Sequence, residues 1–310
     1  MRYRRLGKTG LEVSVVGLGT WQFSGEWGRR YEQAEVGAMV ERARELGLNL
    51  IDTAECYGDH LAEQLVGSAI SDDRERWIVA TKFGHRFHLE RMQGHWSPSD
   101  VRTDHWSPEE VLAQLAASLR ALRTDYVDVY QMHSAPDEVF FDEELWAALG
   151  DEVRKGTIRY VGVSLPGSGS TRQVEAAPAF GISVVQVAYN RIDRTAEQAV
   201  LPLCAELDLG ALVREPLANG FLSGKYRPGA VVADPRDWRS QLDEADVARR
   251  LEVVAEVERS ELPPDVPMAQ WAIAWSLGGP AVSAVVPGAK SVGQLEANAR
   301  AADLGYSGVT

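Results

Sequence analysis

An α/β protein whose parallel strands close into a single (β/α)8 barrel, the TIM-barrel arrangement, is what three features of the sequence predict. Eight short apolar runs alternate with helical patterns, and parallel strands need crossover connections of that kind. The runs are β-branched and flanked by turn residues, as strands covered on both faces should be; Gly162-Val163-Ser164, Val184-Val185-Gln186-Val187 and Ala284-Val285-Val286 are examples. No change of composition and no linker rich in Pro, Gly or Ser divides the 310 residues, so one barrel domain over 1–310 fits better than a two-domain, doubly wound protein.

The elements follow in order. Residues 2–16 alternate around Gly7-Lys8-Thr9-Gly10 and read as a small β-hairpin ahead of the main pattern. Val15 to Trp21 reads as the first buried strand, and a helix follows from Gln33 to Leu46, closed by Gly47. Further strands are predicted near 49–53, 77–82, 126–132, 158–164, 184–189, 210–216 and 281–287, with helices between nearly every pair. Two connections, 83–107 and 218–242, are too long for plain turns and follow presumed C-terminal strand ends. Loops of that length in a compact domain carry function or stay mobile.

Composition narrows the function classes. A hydrophobic share of 45% with 25% charged residues describes a soluble globular protein with ample core. The formal net charge of −13 argues against a nucleic-acid surface, while leaving room for a small anion held by a few local cations. The two cysteines, Cys56 and Cys204, have no metal-ligand or redox spacing, which points to a reduced, cytoplasmic setting. The start has positive charge at Arg2, Arg4 and Arg5, but Lys8, Gly10 and Glu12 interrupt any apolar continuation of the signal-peptide kind. No stretch approaches the roughly 20 apolar residues that cross a bilayer.

Four side chains stand at the C-terminal ends of neighbouring strands. Asp52 follows Asn49-Leu50-Ile51, with Tyr57 in the loop beyond; Lys82 follows Ile78-Val79-Ala80-Thr81; His133 follows Tyr126 to Met132. Parallel neighbours would bring them to one rim, where barrel chemistry is done. There a lysine cation lowers a phenol's pKa and a carboxylate holds the lysine charged. A tyrosine so tuned can give a proton to a carbonyl oxygen that a histidine orients. Reduction of a carbonyl is implied, lacking only a hydride donor. A barrel glycosidase using Asp52 and Glu55 would leave Lys82 and Tyr57 without roles.

The loops supply a pocket. Trp21 and Trp27 lie in the first strand–helix connection, and Trp96, Trp106 and Trp238 in the long ones; such a mouth suits an apolar, aromatic or sugar-like carbonyl compound. The first long loop holds His85, His88, His95 and His105. Without a carboxylate or cysteine at ligand spacing, His85 and His88 make no metal site. For a cofactor, Gly17-Leu18-Gly19 lacks the third glycine of a dinucleotide fingerprint, Gln22 standing there. The C-terminal stretch suits an anion better. A strand ends at Pro287-Gly288, and Ser291 can cap a helix whose amides face Lys290, an arrangement fit for an anion such as a ribose 2′-phosphate.

With these residues in hand the chain resembles the aldo-keto reductase family over nearly its whole length. The blocks that carry the resemblance are Arg4 to Ser14, Gly17-Leu18-Gly19-Thr20, Asp52-Thr53-Ala54 with Tyr57-Gly58, Ala80 to Gly84, and Gln131-Met132-His133; then Gly162-Val163-Ser164, Pro216-Leu217 with Gly220 to Tyr226, and Pro287 to Lys290 with Gln294 and Asn298. The resemblance implies a barrel whose bottom the N-terminal hairpin closes, NADPH as hydride donor, and a small-molecule carbonyl substrate. It makes Tyr57 the general acid, Lys82 and Asp52 its tuning pair, and His133 the carbonyl orienter, with Trp21 and Trp27 beside Tyr57 and His133 toward the substrate. It gives Ser164 and Gln186 to the nicotinamide amide and lays the loop from Pro216 to Lys225, with Gly220 and Gly224, over the pyrophosphate. Thr20, Trp21, Asp52, Leu217, Gly288, Lys290, Gln294 and Asn298 complete the implied NADP site. Three positions depart from the family's pattern: Arg214 stands for an aromatic residue that stacks on the nicotinamide, Leu165 for an asparagine, and Ala297 for an acid. A planar guanidinium can stack in the aromatic residue's place. Some relatives are redox-sensing or partner-binding subunits, which is the alternative function; no oligomeric state is implied.

Overall fold

The structure is a computed structural model that describes residues 1–93, 96–232 and 234–304. Eight parallel strands form the barrel: β1 (Leu18–Gly19), β2 (Leu50–Asp52), β3 (Ile78–Phe83), β4 (Val127–His133), β5 (Ile158–Ser164), β6 (Val184–Ala188), β7 (Gly210–Arg214) and β8 (Val282–Val285), each beside its neighbours in sequence. The ring closes between β8 and the chain around β1. Gly17 N donates to Val285 O at 2.8 Å, Val285 N to Val15 O at 2.9 Å and Gly19 N to Pro287 O at 3.1 Å. All residues of β2, β3, β6 and β8 are buried, which is why these strands read as continuous apolar runs.

The expected strands are found within a few residues of their predicted ends. The first is the shortest of them, because Trp21–Ser24 turns at once into a 3-10 helix. The seventh stops at Arg214, where Glu215 takes a positive φ of 58° and turns the chain away from the sheet. The first long helix spans Gln33–Glu45, with Glu32 and Glu35 forming a capping box at its start. Ser107 and Glu110 do the same for Pro108–Leu122, whose Val111, Leu115, Ser118 and Leu122 form the buried stripe. Burying each such leucine contributes about 1.5–3 kcal/mol.

The hairpin pairs Tyr3–Arg5 with Glu12–Ser14 and closes the N-terminal end of the barrel. Leu6 and Val13 are fully buried among Leu50, Ile78, Val184 and Leu212 inside the ring. Lys8 N donates to Asp208 O at 2.7 Å, and a Cβ on Gly7, at φ +50°, would lie 2.1 Å from Gly210 N. Only glycine lets the hairpin seat so closely.

The two long connections are structured. In the first, His85–Phe87 pairs antiparallel with Arg102–Asp104 as a second hairpin at the opposite rim; His95, within it, lies outside the described residues. The second carries 3-10 turns at Ala218–Ser223 and Trp238–Gln241 and is pinned back to the first strand–helix connection, Trp238 N donating to Glu26 O at 3.3 Å. Among the described residues, no helix is long and apolar enough to cross a membrane.

Candidate active site

Two adjacent strands and the loop after the first deliver a buried acid, cation and phenol to one point. Asp52 ends β2, and Lys82, 1% exposed, lies near the end of β3. Lys82 Nζ donates to both Asp52 carboxylate oxygens, at 3.0 and 2.9 Å, and to Thr53 O at 2.8 Å; it lies 3.4 Å from the Tyr57 hydroxyl. Gln186, from β6 across the barrel, donates to Asp52 Oδ1 at 2.6 Å. Tyr57 reaches the lysine because Gly58, at φ +71°, reverses the chain where a Cβ would meet Ser24 O at 2.8 Å.

Burial sets the proton affinities. It pushes the Tyr57 phenol above its ordinary range, and Lys82 offsets only part of that rise. The sequence-based expectation of a lowered phenol is therefore corrected: desolvation outweighs the cation. Burial alone would lower the Lys82 ammonium, but Asp52 above all reverses the direction and keeps it charged. His133, at the end of β4, is held well below its usual pKa by burial and then by His85, Lys82, Arg102 and Arg214, so it is neutral. Its Nδ1 lies 3.6 Å from Cys56 Sγ, and its ring centroid 6.2 Å from that of Tyr57.

A cavity of about 1090 Å³ opens over these groups. Asp52, Tyr57, His133 and Gln186 line its floor, Thr20, Trp21 and Trp27 one wall, and Arg214, Pro216, Leu217, Gly220 and Lys225 another. Gly288, Lys290, Gln294 and Asn298 line its far end, as does Ala297. Lys82 lies behind Asp52 and Tyr57 rather than on the wall. Ser164 ends β5 at 1% exposure with its hydroxyl oxygen unpartnered. Ser164 itself is not part of the cavity lining, although its strand partners His133 and Gln186 are; an orphaned buried hydroxyl there is a polar group still in want of a partner.

The far end is built as the sequence suggests. Ser291 caps the helix Val292–Arg300 by accepting from Gln294 N, Gln294 Oε1 accepts from Lys290 N at 2.9 Å, and Asn298 Nδ2 donates to Gly288 O at 3.2 Å. The Lys290 ammonium sits 5.0 Å from the Trp27 ring centroid and shares the field of Lys225, Arg29 and Arg239. Gly220, at φ +93°, leaves no room for a Cβ beside Arg239 Nη1, 2.9 Å away. Two of the departures meet: Arg214 pairs with Glu215 and donates from Nη2 to Leu165 O at 3.3 Å.

Trp21, Trp27 and Trp238 pack on one another, with centroids 5.0 to 5.8 Å apart, and Trp21 stacks toward Tyr57 at 6.2 Å. Trp96 and Trp106 do not join this wall. Trp96 is buried in the core, and Trp106 covers Gly84 and His85. The described loop histidines are held by hydrogen bonds: His85 by Asp104 and the His133 carbonyl, His88 and His105 by the shared Thr103 hydroxyl, and His105 also by Glu110. Sequence reasoning missed the buried pair Glu26–Arg102, in which Glu26 also accepts from Trp21 Nε1 at 2.7 Å. Nothing in their spacing, 76 residues apart, signals it.

Comparison with known proteins agrees with this architecture. The Aldo/keto reductase family profile matches residues 15–307. An "Uncharacterized oxidoreductase" of Mycobacterium tuberculosis is 34% identical over 305 residues, covering 96% of this chain and 86% of that protein. A protein of Arabidopsis thaliana named "Probable voltage-gated potassium channel subunit beta" is 31% identical, covering 98% and 92%. Among solved structures, the glycerol dehydrogenase of Gluconobacter oxydans superposes with a TM-score of 0.82 at 25% identity, covering 98% and 90%. With the barrel, its hairpin plug and a profile match running from the first strand to past the last helix, this chain is an oxidoreductase belonging to the aldo/keto reductase family.

Proposed function

We propose that the chain reduces an aldehyde or ketone to the alcohol with NADPH, taking the proton from Tyr57. The observation that carries this reading is the contact of Lys82 Nζ with the Tyr57 hydroxyl, 3.4 Å, while Asp52 holds the lysine from behind and Tyr57 and His133 line one cavity. Bound there, the reduced nicotinamide supplies a hydride to the carbonyl carbon. Tyr57 donates its hydroxyl proton to the carbonyl oxygen, and Lys82 stabilises the phenolate left behind. Neutral His133 donates a hydrogen bond to the same oxygen and orients it. Asp52 keeps Lys82 charged in a site that water barely reaches.

The unpartnered Ser164 hydroxyl and Gln186 suit the nicotinamide carboxamide. The 3-10 segment after Pro216 suits the pyrophosphate, and Lys290 with Gln294 and Asn298 suits the 2′-phosphate end. Trp21 and Trp27 offer an apolar face to an aromatic, aliphatic or sugar-like carbonyl compound. Residues 1–310 form one domain in this reading, and the two cysteines, both free and buried, support a cytoplasmic setting.

A second reading, an NADP(H)-binding redox-sensing subunit with little turnover, is favoured by the name of the Arabidopsis relative. One experiment separates the two. NADPH and NADH are titrated by fluorescence, then a panel of aldehydes and ketones is added while the absorbance of reduced nicotinamide is followed. Binding with oxidation supports the reductase, and binding without oxidation shifts the weight to the sensor. If neither nucleotide binds, both readings fail.

A further inference from the structure

Cys56 lies between Asp52 and Tyr57 in sequence, fully buried, and the reaction above gives it no task. Its sulfur is placed between two groups. On one side the Arg102 guanidinium lies beside it; on the other, His133 Nδ1 is 3.6 Å away. Arginine has only donors to offer, so the side of the sulfur turned toward it presents lone pairs, and the thiol hydrogen is left for Nδ1. Arg102 is itself fixed, its Nη2 donating to buried Glu26 at 2.6 Å. Burial raises the thiol well above its ordinary pKa, so the hydrogen is present at neutral pH.

No other described group competes for Nδ1. Glu55 uses Oε1 to accept from His85 N at 2.9 Å, and its Oε2 has no partner. His85 spends Nε2 on the His133 carbonyl oxygen at 2.7 Å and Nδ1 on Asp104. A neutral imidazole carries one proton, and the hydrogen bond made by one nitrogen decides which nitrogen holds it. If Nδ1 accepts from the thiol, the proton resides on Nε2, the nitrogen remote from Cys56.

We propose that Cys56 is a positioning residue: its thiol donates to His133 Nδ1 and keeps the imidazole in the Nε2–H form that can donate to a carbonyl oxygen in the cavity. Arg102 then donates to Glu26 on one side and faces the sulfur on the other, and the thiol donates onward to His133. Its catalytic consequence rests on the reductase reading, whereas the tautomer itself is a property of the free protein. Glu55, Cys56 and His133 also bring three ligand-type atoms within 4.8 Å of one another, but this is a poor place for a divalent cation. His85, Lys82, Arg102 and Arg214 already make a field that suppresses protonation of His133.

The test is nitrogen-15 NMR of histidine-labelled protein without nucleotide, with the His133 signals assigned from their loss in His133→Gln. Wild type should show the proton on Nε2. In Cys56→Ala the Nδ1 resonance should move to that of an unbonded imidazole nitrogen, with kcat roughly fivefold lower, the worth of one neutral hydrogen bond, and KM nearly unchanged. Cys56→Ser, which keeps a donor at nearly the same place, should restore most of both. A proton on Nδ1 in wild type, or an Nδ1 resonance indifferent to Cys56→Ala, would overturn the proposal. So would a displaced resonance with unaltered kcat. A wild type that turns over no carbonyl yet shows the Nε2–H form and the Cys56→Ala displacement would count against the reductase reading while bearing out the thiol bond.

Discussion

Lys82→Met separates the structural from the chemical work of the buried pair. Methionine fills much the same volume, but the cation that meets both Asp52 oxygens and Thr53 O is lost. The Asp52 carboxylate, its side chain 6% exposed, is left with Gln186 as its remaining described side-chain donor, at 2.6 Å. Removing one partner of a buried ion pair costs about 3–5 kcal/mol, most of it the uncompensated charge. The retained Gln186 bond puts the loss at the lower end, about 3 kcal/mol. Adding Asp52→Asn removes that charge, so the double variant should recover to within about 1 kcal/mol of wild type, a coupling expected only between residues in contact. Turnover should stay lost in both, because neither supplies a cation for the Tyr57 phenolate. Urea unfolding of the nucleotide-free protein and NADPH oxidation with one good substrate read the two effects. A single variant as stable as wild type, or a double variant no more stable than the single, would refute the charge argument. Turnover in the double variant would refute the role given to Lys82.

Three further outcomes are expected. Tyr57→Phe should lower turnover by roughly 100- to 10,000-fold, the range for a lost general acid, with NADPH affinity by fluorescence titration almost unaltered; retained turnover would remove Tyr57 from the reaction. His133 is depressed in the folded state, so below its unfolded value of about 6.5 the unfolded chain binds the extra proton and stability falls with falling pH, by up to about 1.4 kcal/mol per pH unit. His133→Gln should therefore lose less stability than wild type between about pH 6.5 and 5 in thermal unfolding, and equal losses would contradict a neutral His133. Lys290→Met should weaken NADPH binding by roughly tenfold, about one charge-assisted hydrogen bond, and leave NADH binding unchanged; parallel loss of both nucleotides would mean that Lys290 does not read the 2′-phosphate.

The sequence was most legible where a single physical demand shaped a run of residues. Strands buried on both faces must be apolar along their length, so Ile78–Phe83 and Val184–Ala188 could be found to within a residue or two. Asp52, Tyr57, Lys82 and His133 could be gathered because parallel neighbours leave their C-terminal ends side by side. The second hairpin could not be read, since His85–Phe87 and Arg102–Asp104 are three-residue strands too short for a period. The Glu26–Arg102 pair was invisible for another reason: charge in a sequence reads as surface until its partner and its burial are known. The Tyr57 phenol was misjudged in direction because the sequence shows the neighbouring cation but not the depth of burial.

That corrected direction fits the proposed chemistry better than the expectation did. A group that gives a proton to a carbonyl must hold that proton at rest, and a phenol raised by burial does so across the neutral range. What the reaction needs from Lys82 is stabilisation of the anion after transfer, and its ammonium, kept charged by Asp52, stands 3.4 Å from the oxygen where that anion forms. The dryness that raises the phenol also strengthens the lysine's hold on the phenolate, since a low dielectric magnifies both effects. The reverse reaction would have to begin from the phenolate, the form that burial disfavours. In the proposed reaction the same burial that holds the proton on Tyr57 prepares the resting site for reduction, and Lys82, held by Asp52, is what would receive the phenolate left behind.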